Sequence, residues 1–211
     1  MSLRNRKRTA ARNPATKAPR KRLLIVCEGE CTEPLYIRGF ARWVKNPVVE
    51  VTICKERGDP KKVVDLATSQ RDHALASAQS EHDAYLAFDE VWCVFDRDDH
   101  EHFRDAINTA QGRGFKLAVS NPCVELWLLL HFRENPGARH RDDLRAMLRK
   151  TYLPGYDKKL DFGKVQNGFE AASKRALRLS EDAAKLGDDE YKNPTTGFFR
   201  LTDAIRQRDD A

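Results

Sequence analysis

The chain has 211 residues, with 38 lysine or arginine side chains, 32 aspartate or glutamate side chains and a formal charge of +6 at pH 7. Nine of the basic residues and no acidic residue lie within residues 1–22, so the other 189 residues carry 29 basic and 32 acidic groups, a net charge of −3. This distribution excludes a uniformly basic, histone-like protein. No apolar run exceeds five residues, whereas a membrane-spanning helix needs about 20, so no membrane segment is predicted.

Residues 1–22 are predicted to form a disordered basic tail, because they contain almost nothing that could pack into a core. Such a tail attracts phosphate groups regardless of base sequence, but it serves equally well as a docking segment for a protein partner. Its candidate nucleic-acid-binding residues are Arg4, Arg6, Lys7, Arg8, Lys21 and Arg22. The lack of a secretory signal pattern and the odd number of cysteines, five, predict a reduced, cytoplasmic protein.

Four strands are predicted, each followed by a turn or by a helical segment. The first, Leu23–Cys27, is apolar throughout, which is typical of a strand buried on both faces of a parallel sheet. Thr32 is expected to cap the helix that follows, and Asn46-Pro47 to end it. The other strands are predicted at 48–54, 90–95 and 115–119, and the helices between them at 61–86 and 101–111.

After Asn121-Pro122 no strong strand pattern remains, and the segments 124–132, 142–151, 166–185 and 198–206 have helical composition. Alternating strands and helices predict an α/β fold with a four-stranded, mainly parallel sheet and right-handed crossovers. We therefore expect a basic tail at 1–22, an α/β domain at 23–135 and a helical extension at 136–211 that packs on it.

Acidic side chains follow three of the predicted strands. Glu28 follows the first strand, and Asn121 and Glu125 follow the fourth; the third is followed by Asp96, Asp98 and Asp99. The carboxyl ends of parallel strands share one edge of the sheet, and neighbouring carboxylates repel one another unless cations neutralise them. These residues therefore predict a site for Mg²⁺ or Mn²⁺, ions that prefer oxygen ligands and support displacement at phosphorus.

Each motif also has a purely structural interpretation. Asp98 with Glu101 matches a capping box at the start of a helix, and Glu28-Gly29 matches a tight turn. Their occurrence at two strand ends of one sheet favours the metal site.

Three segments resemble the RloB family of Toprim-fold proteins: Cys27-Glu-Gly-Glu-Cys-Thr-Glu-Pro-Leu-Tyr36, Val91-Trp-Cys-Val-Phe-Asp-Arg-Asp-Asp-His100 and Ser120-Asn-Pro-Cys-Val-Glu-Leu-Trp-Leu-Leu-Leu-His-Phe132. The resemblance covers roughly residues 22–200. It implies a Toprim-like Rossmannoid fold and a metal-dependent nuclease of prokaryotic phage defence, acting on DNA or RNA, often beside an AAA-type ATPase. It assigns Glu28 as the Toprim glutamate, and Asp96 and Asp98 as metal ligands.

One position departs from the Toprim pattern. Related nucleases often carry a second acid four residues after the first glutamate, where this chain has Thr32, and the neighbouring acids are Glu30 and Glu33. The sequence does not decide which of them joins the site, nor whether the protein forms a homo-oligomer. A non-catalytic, regulatory partner of an ATPase is the alternative function.

Other polar residues have structural as well as functional interpretations. Glu125 is expected either to form an ion pair with an arginine or to lie near the metal. His131 is interpreted as a histidine satisfied within its helix, and a role for His100 is left open. The three tryptophans are predicted to be core residues, at positions 43, 92 and 127.

Overall fold

A computed structural model describes residues 21–53, 59–97 and 102–207. Its sheet has five strands in the order β2-β1-β3-β4-β5. The first four are parallel, and the short β5 pairs with β4 in the antiparallel direction. The strands are β1 (Leu23–Cys27), β2 (Val49–Ile53), β3 (Glu90–Asp96), β4 (Lys116–Asn121) and β5 (Thr195–Thr196).

Seven α-helices lie within the described residues. They are α1 (Thr32–Trp43), α2 (Pro60–Glu81), α3 (Phe103–Gly112), α4 (Glu125–Leu130), α5 (Arg141–Met147), α6 (Phe169–Lys185) and α7 (Phe198–Arg206). A π-helical turn, Leu148–Tyr152, continues α5, and three 3₁₀ turns lie at Ala84–Leu86, Phe162–Lys164 and Gln166–Gly168. No helix in the described ranges is long and apolar enough to cross a membrane.

The apolar strands bury both of their faces. In β1, Leu23 and Ile25 face a hydrophobic cluster formed with α1, α4, α6 and α7, whereas Leu24 and Val26 face a second cluster formed with α2 and α3. Successive side chains of a strand point to opposite faces, so the continuous apolar run of β1 is what a sheet covered on both sides requires. The predicted α/β architecture is confirmed, with a doubly wound, Rossmann-like arrangement.

Helices of the C-terminal part complete the larger cluster. Leu144, Phe169 and Leu201 are buried in the same cluster as the β1 residues, together with Trp127 of α4. Tyr36 of α1 lies at its centre and makes edge-to-face contacts with Trp127, Phe162 and Phe198 at centroid distances of 5.3–5.9 Å. Residues on both sides of the predicted 135/136 boundary thus share one core.

The strand order places a crevice between β1 and β3. The chain passes from β1 through α1 to β2 on one side, and the later strands are added on the other side, so the winding direction reverses at this pair. In open α/β sheets, ligands bind at the carboxyl ends of the strands at such a reversal. Glu28 follows β1 and Asp96 ends β3, so both of these residues lie at the expected position.

Several predicted elements require correction. The helix predicted at 61–86 ends at Glu81, because His82 takes a left-handed conformation with φ of 53°. Thr32 does not cap α1; its hydroxyl bonds instead to Tyr156 Oη at 2.8 Å. Trp43 is 42% exposed rather than part of the core. Cys54 and the acidic segment 98–101 lie outside the described residues, as does the predicted tail except for Lys21 and Arg22.

The strand β5 was not predicted. Thr195 and Thr196 pair with Asn121 and Ser120 of β4, and the Ser120 and Thr196 hydroxyls lie 2.9 Å apart. Two threonines after Asn193-Pro194 are too short a segment to show a strand periodicity, so only the pairing with β4 reveals it.

The start of α6 packs closely against the end of α4, which makes Gly168 sensitive to substitution. A Cβ atom at Gly168 would clash with the carbonyl oxygen of His131 and lie 2.9 Å from its carbonyl carbon. We expect Gly168→Ala to lower the free energy of unfolding by about 1–3 kcal/mol, as overpacking typically does. The matched Gly112→Ala in α3, where a Cβ meets nothing within 4 Å, should be neutral or stabilise by up to about 1 kcal/mol. Urea unfolding of both variants tests this, and an equal effect of the two changes would contradict the proposed packing.

Candidate active site

Glu28 and Asp96 meet at the crevice between β1 and β3. The backbone N–H of Asp96 donates to Glu28 Oε2 at 3.4 Å, and both side chains are half-buried. Asp96 Oδ1 also accepts the N–H of Val124, just before α4, at 2.9 Å. The chain that follows β4 is thereby bound to the end of β3, and Glu125 enters the same region.

Glu33 joins these residues from the first turn of α1. Its side chain is buried, whereas Glu30 is exposed. The Glu33 carboxyl lies directly against Gly29, where any Cβ atom would overlap it. Gly29 therefore has a steric role in addition to forming the turn, because its missing side chain leaves the space that the carboxyl fills.

Glu125 is held at the base of the site by residues from the C-terminal part. Its Oε1 accepts a hydrogen bond from Arg145 Nε at 3.1 Å and from Tyr156 Oη at 3.3 Å. The Tyr156 hydroxyl also lies 2.8 Å from the Thr32 hydroxyl, which in turn lies 3.1 Å from Lys158 O. The other carboxylate oxygen of Glu125, Oε2, is buried and has no hydrogen-bond partner among the described residues. Glu125 therefore forms the predicted ion pair and also lies among the acids.

The four carboxyl groups interact electrostatically. Burial raises the pKa of Glu33 from 4.5 to about 7, with further increases from the charges of Glu125 and Glu28 and an opposing effect of Lys158. Burial also raises the pKa of Asp96, and the charges of Glu33, Glu125 and Glu28 raise it further while Arg141 lowers it. The charges of the neighbouring carboxylates thus favour the protonated forms of Glu33 and Asp96.

A cavity with both basic and acidic side chains lies beside Glu125. Its volume is about 430 Å³, and its lining includes Arg145, Arg149, Lys158, Tyr156, Asp142 and Asp157. Arg145 and Tyr156 reach from this cavity to Glu125, and the charges of Lys158 and Arg141 act on Glu33 and Asp96. An anionic ligand that enters the cavity thus comes close to both the basic and the acidic groups.

The structure unites part of the predicted set of site residues. It brings together Glu28, Asp96, Glu33 and Glu125, and it leaves Glu30 at the surface. The Asn121 side chain donates to Tyr191 O and so connects β4 to the C-terminal segment. Asp98 and Asp99 lie outside the described residues, and their predicted roles stay predictions.

The predicted nucleic-acid-binding residues are only partly described. Lys21 Nζ lies 3.1 Å from Glu90 Oε1, and Arg22 donates to Tyr85 O at 2.6 Å. Both precede β1 and so lie at the amino edge of the sheet, opposite the carboxylates. The tail residues Arg4, Arg6, Lys7 and Arg8 lie outside the described part.

The contribution of the C-terminal part to the site could not be predicted from the sequence. Arg145, Tyr156 and Lys158 lie 20 or more positions after Glu125 in segments that read as ordinary helix and loop, and nothing in their spacing connects them to the acids. Glu125 was the one sequence signal for such a contribution, because a carboxylate beside an apolar helix face requires a hydrogen-bonding or basic partner. His131 is confirmed as a satisfied histidine: its ring nitrogens bond to Trp127 O and Tyr36 Oη, and burial lowers its pKa to about 4.

The raised pKa of Glu33 has a consequence for stability. Its folded-state pKa of about 7 exceeds the ordinary value of 4.5, so its contribution to stability is complete below pH 4.5 and is lost as the pH rises through 7. We expect Glu33→Gln to raise the free energy of unfolding at pH 8 by up to roughly 3 kcal/mol, and this gain should shrink towards pH 5. Urea unfolding at several pH values with EDTA present measures it.

Glu181, an exposed residue of α6, provides the control for this experiment. Glu181→Gln should change stability by less than about 0.5 kcal/mol throughout. A gain for Glu33→Gln that does not vary with pH would show that the Glu33 carboxyl is not the titrating group.

Comparison with known protein families and structures gives one match. The family model of RloB-like proteins matches residues 23–205. No curated protein and no solved structure matches the chain. The family match includes the strand ends, the acids and the C-terminal residues that hold Glu125. Since it spans most of the chain, the protein belongs to the RloB-like family.

Proposed function

We propose that this protein is a metal-dependent nuclease of the Toprim type, which hydrolyses phosphodiester bonds of DNA or RNA. The observation that carries the proposal is the meeting of Glu28, Glu33, Asp96 and Glu125, from separate elements, at the crevice between β1 and β3. Gathering four carboxyl groups is costly for a protein, and a catalytic role for bound cations is a physical reason to retain them.

The residues fit a hard divalent cation by their chemistry. All four donors are carboxylates, as Mg²⁺ and Mn²⁺ prefer, and the buried Glu125 Oε2 lacks a hydrogen-bond partner among the described residues. In their present placement, no group of three or more acidic, histidine or cysteine side chains within the described ranges is arranged to hold a metal. Glu28 and Asp96 would hold the ion, with Asp98 as the further ligand implied by the family resemblance.

Mg²⁺ or Mn²⁺ bound there would neutralise the carboxylates and polarise the scissile phosphate. Glu33, which lies buried beside these residues in the first turn of α1, would take a proton from the attacking water or give one to the leaving oxygen. Arg141 and Lys158, whose charges act on Asp96 and Glu33, would stabilise negative charge that develops at phosphorus.

The biological setting follows from the family resemblance. We propose a role in prokaryotic phage defence, with an AAA-type ATPase as partner and the basic tail as an auxiliary contact to nucleic acid or to that ATPase. In the alternative function, the protein regulates the ATPase and the acidic crevice does not cleave a substrate.

Asp96→Asn tests the nuclease. Asparagine keeps an oxygen that can accept the Val124 N–H, so the fold should persist, but the carboxylate is lost. We expect cleavage of labelled DNA or RNA with Mg²⁺ or Mn²⁺ to fall by about 100-fold or more, because even groups that only orient a metal ligand contribute 10–100-fold. We also expect Mn²⁺ to raise the melting temperature of the wild type and to leave that of Asp96→Asn unchanged.

The control for this test is Asp65→Asn, at an exposed position of α2, which should cleave like the wild type. Undiminished cleavage by Asp96→Asn would refute the assignment. Mn²⁺-dependent stabilisation without any cleavage, both alone and with an ATPase added, would support the regulatory alternative.

A further inference from the structure

A second basic surface lies on the outer side of α1, away from the cavity beside Glu125. Arg38, Arg42 and Lys45 border a cavity of about 480 Å³ between α1 and the edge strand β2. Its floor is apolar and contains Ala41, Val49 and Val51, and none of the described residues that line it is acidic. We call this surface the α1–β2 groove.

The sheet keeps acidic side chains away from this groove. Val49 and Val51 pack against the hydrophobic cluster that α1 covers, so Glu50 between them points to the opposite face. There it lies 3.8 Å from Arg22. The described side chains that line the groove therefore include three cations and no carboxylate.

Helix α1 carries residues of both the groove and the candidate active site. This helix begins beside the carboxylates with Thr32 and Glu33 and then runs back along the sheet. At 1.5 Å per residue, Arg38 lies about 7.5 Å beyond Glu33 along the helix axis, and Arg42 about 6 Å further. Arg38 Nη2 donates a hydrogen bond to Val51 O at 3.1 Å.

We propose that the α1–β2 groove binds the sugar–phosphate backbone of a nucleic acid strand whose scissile bond lies at the carboxylates. Arg38, Arg42 and Lys45 follow one another along the helix and do not converge on one point. This arrangement matches the successive phosphates of a nucleic acid strand better than a single compact anion. Guanidinium groups bind phosphate oxygens in pairs, and the apolar floor can cover sugar and base surfaces. The choice of nucleic acid over an acidic protein rests on the proposed nuclease function.

The test compares two triple variants of the full chain with equal changes in charge. The groove variant carries Arg38→Gln, Arg42→Gln and Lys45→Gln. The control carries Lys61→Gln, Arg113→Gln and Lys174→Gln, three exposed positions outside the groove. Binding of labelled single-stranded DNA and RNA is measured by fluorescence anisotropy between roughly 50 and 200 mM salt, with EDTA present so that nothing is cleaved.

The expected result is a weaker binding constant and a weaker salt dependence for the groove variant. Each phosphate contact in a single strand contributes about 0.7 to the slope of log K against log salt, so three lost contacts should lower it by about 2. Arg42→Gln alone should lower it by about 0.7. The control should keep the wild-type slope, which separates the groove from the general effect of charge and of the basic tail.

Other outcomes overturn the proposal in distinguishable ways. If the wild type binds nucleic acid and the two triple variants bind it equally well, the groove does not bind the nucleic acid strand. The proposed nuclease activity is tested separately by Asp96→Asn. If the groove variant loses only the binding of polyglutamate, the groove is a site for an acidic protein. If the wild type binds neither DNA nor RNA, both the groove assignment and the proposed substrate class are wrong.

Discussion

Mutual repulsion among carboxylates is the constraint on which the crevice of this protein depends. Glu28 and Asp96 follow adjacent parallel strands, and two further acids enter from α1 and α4. Each ionised group disfavours the ionisation of the next, and burial adds to the cost. Compensation comes from directed contacts: a backbone N–H for Asp96, and an arginine and a tyrosine for Glu125.

The acids of the crevice are not stabilised equally. Glu125 has an arginine on one oxygen and no hydrogen-bond partner on the other among the described residues, while Glu33 retains a pKa of about 7. A site optimised for stability alone would replace such acids with neutral residues of similar shape. Retaining these acids lowers the free energy of unfolding at neutral pH. Natural proteins retain such destabilising groups mainly where the group has a function.

Much of the scaffold could be predicted from the sequence, because β1, β3 and β4 are buried segments whose composition alone identifies strands. The position of Glu28 and Asp96 at one edge follows from parallel topology. The choice of Glu33 over Glu30 could not be predicted in the same way, because it depends on the phase of α1 and on the space above Gly29. The hydrogen bonds of Arg145 and Tyr156 to Glu125 depend on how α5 and the following loop pack. The local sequence pattern carries no information on contacts between residues that are 20 or more positions apart. The acids at 98 and 99 stay predictions.

The contacts of Glu125 also bear on whether residues 136–211 are an appendage. A helical extension that only covered the sheet would need apolar residues at the interface and no polar residues at the carboxyl edge of the sheet. Here the same segment buries Phe169 and Leu201 in the core and places Arg145, Tyr156 and Lys158 at the acidic crevice. The extension therefore supplies the positive charge that lets the acids coexist. Removing it would expose the α1 side of the sheet and also leave Glu125 buried without its cation, so the sheet and the C-terminal helices form one functional unit.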